Sequence, residues 1–187
     1  MIIGLAGVAR SGKDSFYNFC KNINFNNRPN QSIAFAGCLK EELDYFLLRN
    51  FNISSFTEDL KEKEVIRPML VSYGMAKRQI SNGRYWIDQV FKKINDQEEE
   101  NFFITDVRFP NEISEIKKSK GFCIHIEREG VGPINSEELT NDPIVKEECD
   151  YHFNWPNFSE EEFTNGIASS MVSDFLHKQF LKQQTIP

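Results

Sequence analysis

The sequence predicts an α/β protein, a parallel sheet with helices on both faces, and three observations carry that expectation. A short apolar run, Ile2 to Ala6, leads through Gly7-Val8-Ala9-Arg10-Ser11-Gly12-Lys13 into an amphipathic stretch from Asp14 to Ile23, which reads as strand, loop, helix. Phe102 to Val107 is a second continuous apolar run of strand length, as strands buried on both faces require. Between and after these runs, strand and helix patterns alternate at the spacing of β-α units. The 187 residues suffice for one domain (1–187) with one sizeable core, whereas two independent domains would each be short of apolar residues.

The elements follow in order. Asn24 to Gln31 is Asn-rich and holds Pro29, so it is a connection; Ser32 to Phe35 is a second strand and Leu39 to Leu48 a helix. A longer helix is expected from about Leu60 to Ile80, where Ile66, Met69, Leu70, Tyr73 and Ile80 recur at helical spacing. Pro68 is placed most cheaply in the first turn of a helix beginning near Arg67. Gly83 separates it from a helix over Tyr85 to Ile94, and the acidic run Asp96 to Glu100 reads as a solvated loop. After the strand Phe102 to Val107 come a short helix, Asn111 to Lys118, and a strand, Phe122 to Glu127. Gly130 to Pro143 has turn-forming residues and weak periodicity, the pattern of a mobile loop. Phe153 to Phe158 is a last short strand and Phe163 to Phe180 an amphipathic helix.

Composition excludes several classes of function. The formal charge of −6, from 28 acidic against 22 basic side chains, sets the surface as a whole against a nucleic-acid partner unless basic residues gather locally. No run is apolar for the ~18 residues of a membrane span, and no basic leader precedes the first strand, so a cytoplasmic location is expected. Cys20, Cys38, Cys123 and Cys149 are far apart and lack zinc-site spacing; reduced, buried thiols are expected. His125, His152 and His177 have no partners at catalytic spacing and read as structural.

The strongest chemical signal is the G-x-x-x-x-G-K loop itself, a P-loop in the required strand–loop–helix context. Its glycines let backbone N–H groups turn around phosphate oxygens, the helix N-terminus adds partial positive charge, and Lys13 supplies a cation to the β- and γ-phosphates. Gly7, Arg10, Ser11, Gly12, Lys13, Asp14 and Ser15 are therefore the expected ATP contacts. Asp14 replaces the usual hydroxyl residue after the lysine, and Ser15 is expected to reach Mg²⁺ or a phosphate. Asp106, at the C-terminal end of a buried strand, lies where open α/β sheets bind ligands; it would hold Mg²⁺ or orient the attacking oxygen. Arg108 would neutralise the phosphate in transfer.

A third set lies on the long helix. Offsets of seven and eleven residues return to nearly one angle at about 100° per residue, so Arg67, Gly74 and Arg78 share a face. A compact anion would fit between the arginines, over the glycine; a solvated face with salt bridges to Glu64 or Asp88 is the plain alternative. Tyr85 and Trp86 would stack on a base or join the core, and Lys40 faces phosphate or solvent.

Together these residues resemble the bacteriophage deoxynucleoside monophosphate kinase family and, more distantly, animal phosphomevalonate kinases. The likeness runs through Arg10-Ser11-Gly12-Lys13-Asp14-Ser15, Leu39-Lys40-Glu41-Glu42-Leu43, Arg67 through Gly74 to Arg78 with Trp86, Asp106-Val107-Arg108-Phe109-Pro110-Asn111-Glu112, Ser136-Glu137, and Asp150 with Asn154. Ile134 stands where the family often has His. The resemblance implies a three-layer P-loop kinase fold with a helical acceptor-binding excursion over 51–95 and a lid over 128–148. It implies ATP and Mg²⁺ as cofactors, with Arg10, Gly12, Lys13 and Ser15 on the ATP phosphates. Lys40, Arg67, Arg78 and Arg108 would handle the acceptor phosphate and its transfer, with Trp86 in the acceptor site and Arg128 at the start of the lid. The partners it implies are small nucleotides, with a homodimer compatible. Rival readings are a kinase for a hydroxymethylated base in DNA or for a phosphomevalonate-like acceptor, and a nucleotide-binding module without turnover.

Overall fold

The computed structural model describes residues 1–97, 99–157 and 166–181. The chain divides into two compact units, one formed by Met1–Ser32 with Glu99–Pro187 and the other by Ile33–Glu98. The second unit begins at Ile33, ahead of the helical excursion expected from about Phe51, and takes in a further helix.

The first unit is built on a five-stranded parallel sheet in the order β2-β3-β1-β4-β5. Its strands are β1 (Ile2–Ala6), β2 (Asn30–Ile33), β3 (Asn101–Val107), β4 (Phe122–Arg128) and β5 (Tyr151–Trp155). Ile3 and Leu5 of β1, pointing to one face by the alternation of a strand, join a core with Phe16, Tyr17 and Cys20 of α1 (Lys13–Cys20) and with Ala168, Val172 and Leu176 of α7 (Ile167–Leu176). Gly4 points to the other face, where a Cβ would lie 2.8 Å from both Cys123 Sγ and Ile116 Cδ1 of α5 (Pro110–Lys118). A π-helical turn, His177–Leu181, follows α7.

The Asn-rich connection has a use that composition did not reveal. Buried Asn30 donates from Nδ2 to the carbonyls of Cys20 (2.9 Å) and Ile23 (2.7 Å), and accepts at Oδ1 from Asn101 Nδ2 (3.0 Å). These amides satisfy the end of α1, so β2 begins at Asn30 rather than at Ser32.

Gly130 to Pro143 was expected to be irregular, and that is corrected in part: Ser136–Glu148 is a regular helix, α6, capped by Asn135, whose Oδ1 accepts from Glu138 N–H at 2.8 Å. Its weak periodicity has a plain cause, because Glu138 and Val145 are its only buried residues. Pro143 lies inside it, exposed, as is Leu139, whose carbonyl loses its partner to the proline. The expected ends of the last strand (Phe158) and the last helix (Phe163) lie outside the described residues. All four cysteines are buried and none is in a disulfide, and burial pushes the Cys20 thiol up to about 12. Among the described residues no helix is long and apolar enough to cross a membrane.

The second unit consists of α2 (Phe35–Phe51), α3 (Leu60–Ile80) and α4 (Tyr85–Asn95). The helix spans the expected Leu60 to Ile80, and only the placement of Pro68 in a first turn near Arg67 is corrected. One 21-residue helix starts at Leu60, because Asp59 caps it by accepting from the N–H groups of Lys61 (2.8 Å) and Glu62 (3.1 Å). Pro68 is accommodated inside it, with both Pro68 and Glu64 exposed, so the unserved carbonyl meets water while Ile66, Met69, Leu70 and Tyr73 pack on Leu43 and Leu47.

The close approach at Gly4 gives a direct test of this packing. Gly4→Ala should destabilise the protein by ~1–3 kcal/mol through overpacking, read as a lower urea midpoint with an unchanged m-value. An unaltered midpoint would show that α5 does not lie against β1 as described.

Candidate functional site

In the first unit the site grows from the pairing of β1 with β3. Gly4 is opposite Ile104, yet Ala6 is opposite Val107, so β3 carries one extra residue between these points. Such a bulge turns side chains off the regular alternation. Here Thr105 and Asp106 both become half-exposed within a strand that is otherwise buried. The register brings Val107 beside Ala6, so that Asp106 and Arg108 flank the start of the glycine loop.

The loop turns through positive φ at Gly7 (127°), Arg10 (66°) and Gly12 (91°). Glycine is required at both ends for a second reason: a Cβ on Gly7 would lie 2.3 Å from the Ile126 carbonyl oxygen, and one on Gly12 2.6 Å from Trp155 Nε1. Trp155 Nε1 in turn donates to the Gly12 carbonyl at 3.3 Å. No side chain caps α1, whose first turn holds Lys13, Asp14 and Ser15. Ser11 Oγ is fully buried and has no hydrogen-bond partner among the described residues. A loop of turned-in backbone, an uncapped helix start and an orphaned hydroxyl fit a phosphate chain. For Mg²⁺ the fit is partial: no group of three or more His, Cys, Asp or Glu able to hold a metal exists among the described residues.

Lys13 is not solvent-facing. Its ammonium is buried and donates to the carbonyls of Gly7 and Val8, both at 2.7 Å. Burial, and then the neighbouring Arg108 guanidinium, lowers its pKa from 10.5 to about 8, against the opposing pull of Asp14, Glu138 and Asp106. Arg10 is exposed at the loop's tip, and Arg128 is exposed at the C-terminal end of β4, where the Val131 N–H donates to its carbonyl at 3.0 Å.

Sequence reading missed Glu138. This carboxylate accepts at Oε1 from the Ala9 N–H of the loop (3.1 Å) and from Arg108 Nη1 (3.2 Å), and at Oε2 from the Ile134 N–H (3.2 Å). Weak helical periodicity hid it, since only the burial of a charged side chain marks it out. A small cavity beside the loop is lined by Gly7, Val8, Arg108, Glu138 and Asp142, among others. Asp142 Oδ1 lies 3.0 Å from Nε2 of buried His125, so that histidine has a carboxylate partner that spacing did not suggest.

In the second unit the expected anion groove is corrected. Gly74 leaves no opening, because Leu39 of α2 fills the space: a Cβ there would meet Leu39 Cδ1 at 2.5 Å. Trp86 donates from Nε1 to the Gly74 carbonyl (3.1 Å) and is buried, edge-on to Tyr85 at 4.8 Å. Of the two readings of Trp86, core is the one its burial matches. Arg67 is exposed and Arg78 half-buried. Lys40 is half-buried, and its ammonium stands 5.7 Å over the Phe56 ring.

The polar centre of this unit is one the sequence did not single out. Glu42 accepts from Tyr73 Oη, from Tyr85 Oη at 2.9 Å, and pairs with Lys77 at 2.9 Å, while Lys77 lies 4.2 Å over the Tyr85 ring. Burial raises the Glu42 pKa, but the hydrogen bonds from Tyr73, Lys77 and Tyr85 outweigh it and hold the carboxyl below its usual range. Those from Glu42, Tyr85 and Tyr73 raise Lys77.

The depressed Lys13 predicts a pH signature. Below about pH 8 the folded protein carries the cost of a buried cation, and that cost is relieved as pH rises from about 8 towards the unfolded value of 10.5. Relative to Lys13→Met, wild-type stability should therefore increase over this window, by up to ~3 kcal/mol. Parallel pH profiles from chemical denaturation of the two proteins would refute the burial of a charged Lys13.

No protein-family model matches this chain, and no curated protein matches it significantly in sequence.

Proposed function

We propose that this protein is a P-loop kinase of the three-layer α/β type that transfers the γ-phosphoryl group of Mg²⁺-ATP to a deoxynucleoside monophosphate. The observation that carries the reading is the convergence of Lys13, Arg108 and Asp106 on a glycine loop at the C-terminal end of a parallel sheet, before an uncapped helix. A phosphate binder needs the loop alone. A phosphoryl transferase also needs charge that meets the group in flight, and Arg108 and Asp106 supply a cation and a carboxylate beside the loop.

On this reading the loop amides and Lys13 hold the β- and γ-phosphates, displacing Lys13 from the Gly7 and Val8 carbonyls. Ser11 Oγ gains the partner it lacks. Ser15 and Asp106 would complete the ligands of a Mg²⁺ that arrives with ATP, and the ion would supply charge neutralisation. Arg108 would meet the equatorial oxygens while an acceptor phosphate oxygen attacks in line. Arg67 and Arg78 are assigned to the acceptor phosphate by the resemblance and by their shared helix face, no longer by a glycine groove.

That experiment is ADP release from ATP with and without a panel of nucleoside and deoxynucleoside monophosphates. Release stimulated by one or more deoxynucleoside monophosphates is expected; unstimulated ATP turnover, or none, would overturn the acceptor assignment. Lys13→Ala should lower transfer ~10²-fold or more while the far-UV spectrum stays native. Arg67→Ala and Arg78→Ala should each raise the acceptor KM by ~10- to 100-fold with little change in KM for ATP. A rise in ATP KM alone would mean that the acceptor phosphate binds elsewhere.

A further inference from the structure

We propose that Glu138 is a positioning residue that holds the Arg108 guanidinium against the phosphate loop, an inference that rests on the kinase reading above. Arg108 is gripped at both ends by glutamates that are themselves buried. At its backbone, Glu112 Oε2 accepts from the N–H groups of Arg108 (2.8 Å) and Phe109 (3.0 Å), which fixes the turn after β3. At its tip, Glu138 Oε1 accepts from Nη1 at 3.2 Å.

Glu138 is held as firmly as the residue it holds. Its carboxylate also takes the N–H groups of Ala9 and Ile134, and its own N–H is bound by the Asn135 cap. Its side chain is 4% exposed, against 39% for Arg108. The asymmetry separates the two roles: the carboxylate is a fixed post, and the guanidinium, with five N–H donors and one engaged in this pair, keeps donors for a ligand. A buried carboxylate adds little stability merely by pairing. Tied to a loop amide and a guanidinium at once, it sets the distance between phosphate cradle and transfer-stage cation. Such pre-orientation spares the transition state the cost of ordering a long side chain.

The test is a double-mutant cycle of wild type, Glu138→Gln, Arg108→Ala and the double variant. It is read by kcat and KM for ATP and, without turnover, by calorimetric affinity for inorganic tripolyphosphate. Glu138→Gln alone should lower kcat by ~10- to 100-fold while weakening ATP, read as KM, and tripolyphosphate alike by only ~5- to 10-fold. In the Arg108→Ala background the same substitution should change either quantity less than about threefold. Equal effects in both backgrounds would overturn the proposal, as would tighter tripolyphosphate binding by Glu138→Gln, which would make the carboxylate a competitor of phosphate. Should Glu138→Gln fail to fold, Glu138→Asp, which keeps the charge and shortens the reach, enters the same cycle with the same expected coupling. A wild type that phosphorylates no acceptor would end the kinase reading, while the tripolyphosphate cycle would still decide the role of Glu138.

Discussion

The one-residue slip between β1 and β3 is the constraint on which the site depends. Had the register set by Gly4 and Ile104 continued, Ala6 would face Asp106, and Asp106 would keep to the regular alternation of a buried strand. The extra residue lets the strand stay buried through Ile104 and at Val107 while Thr105 and Asp106 come partly into the open. Everything near the loop follows from that arrangement. Arg108 leaves the sheet one residue past the Ala6 pairing, Glu112 closes the turn behind it, and α6 supplies Glu138 from across β4.

Much of this was legible in the sequence because it rests on local signals. A glycine loop between an apolar run and an amphipathic one specifies its own geometry, and the structure places β1 at Ile2–Ala6 as expected and starts α1 at Lys13, one residue early. The register slip left no such trace, since a bulge is a property of two strands. Glu138 was illegible for a related reason. Helical periodicity finds residues that are buried because they are apolar, and it is blind to a carboxylate buried because a loop amide and a guanidinium wait for it.

The prolines and Gly74 show the opposite failure, in which a local rule is correct and loses. Pro68 does cost its helix a hydrogen bond, but Asp59 starts the helix two turns earlier, and the packing of Ile66, Met69, Leu70 and Tyr73 carries it through. Pro143 is tolerated in α6 on an exposed side. Gly74 does lie between two arginines on one face, as angles alone require, yet its missing side chain serves Leu39. A glycine on a helix signals close approach, and the sequence does not say whether a ligand or a neighbouring helix does the approaching.

The charge balance resolves an apparent conflict. A chain of net charge −6 is a poor host for a polyanion if that charge is spread evenly. At the loop it is not. Lys13 is held at about 8 first by burial and next by the Arg108 guanidinium, so a buried cation and a partly exposed one stand together beside Asp14, Glu138 and Asp106. Three carboxylates stand against these two cations, but Glu138 is already engaged by the N–H groups of Ala9 and Ile134 and by Arg108, which it also aims. An anion entering the loop would relieve the repulsion between Lys13 and Arg108 and restore the full charge of the lysine. The acidic surface and an anion site at the loop are thus compatible: charge spread over the whole molecule is screened by salt, whereas Lys13 acts from a buried position at short range.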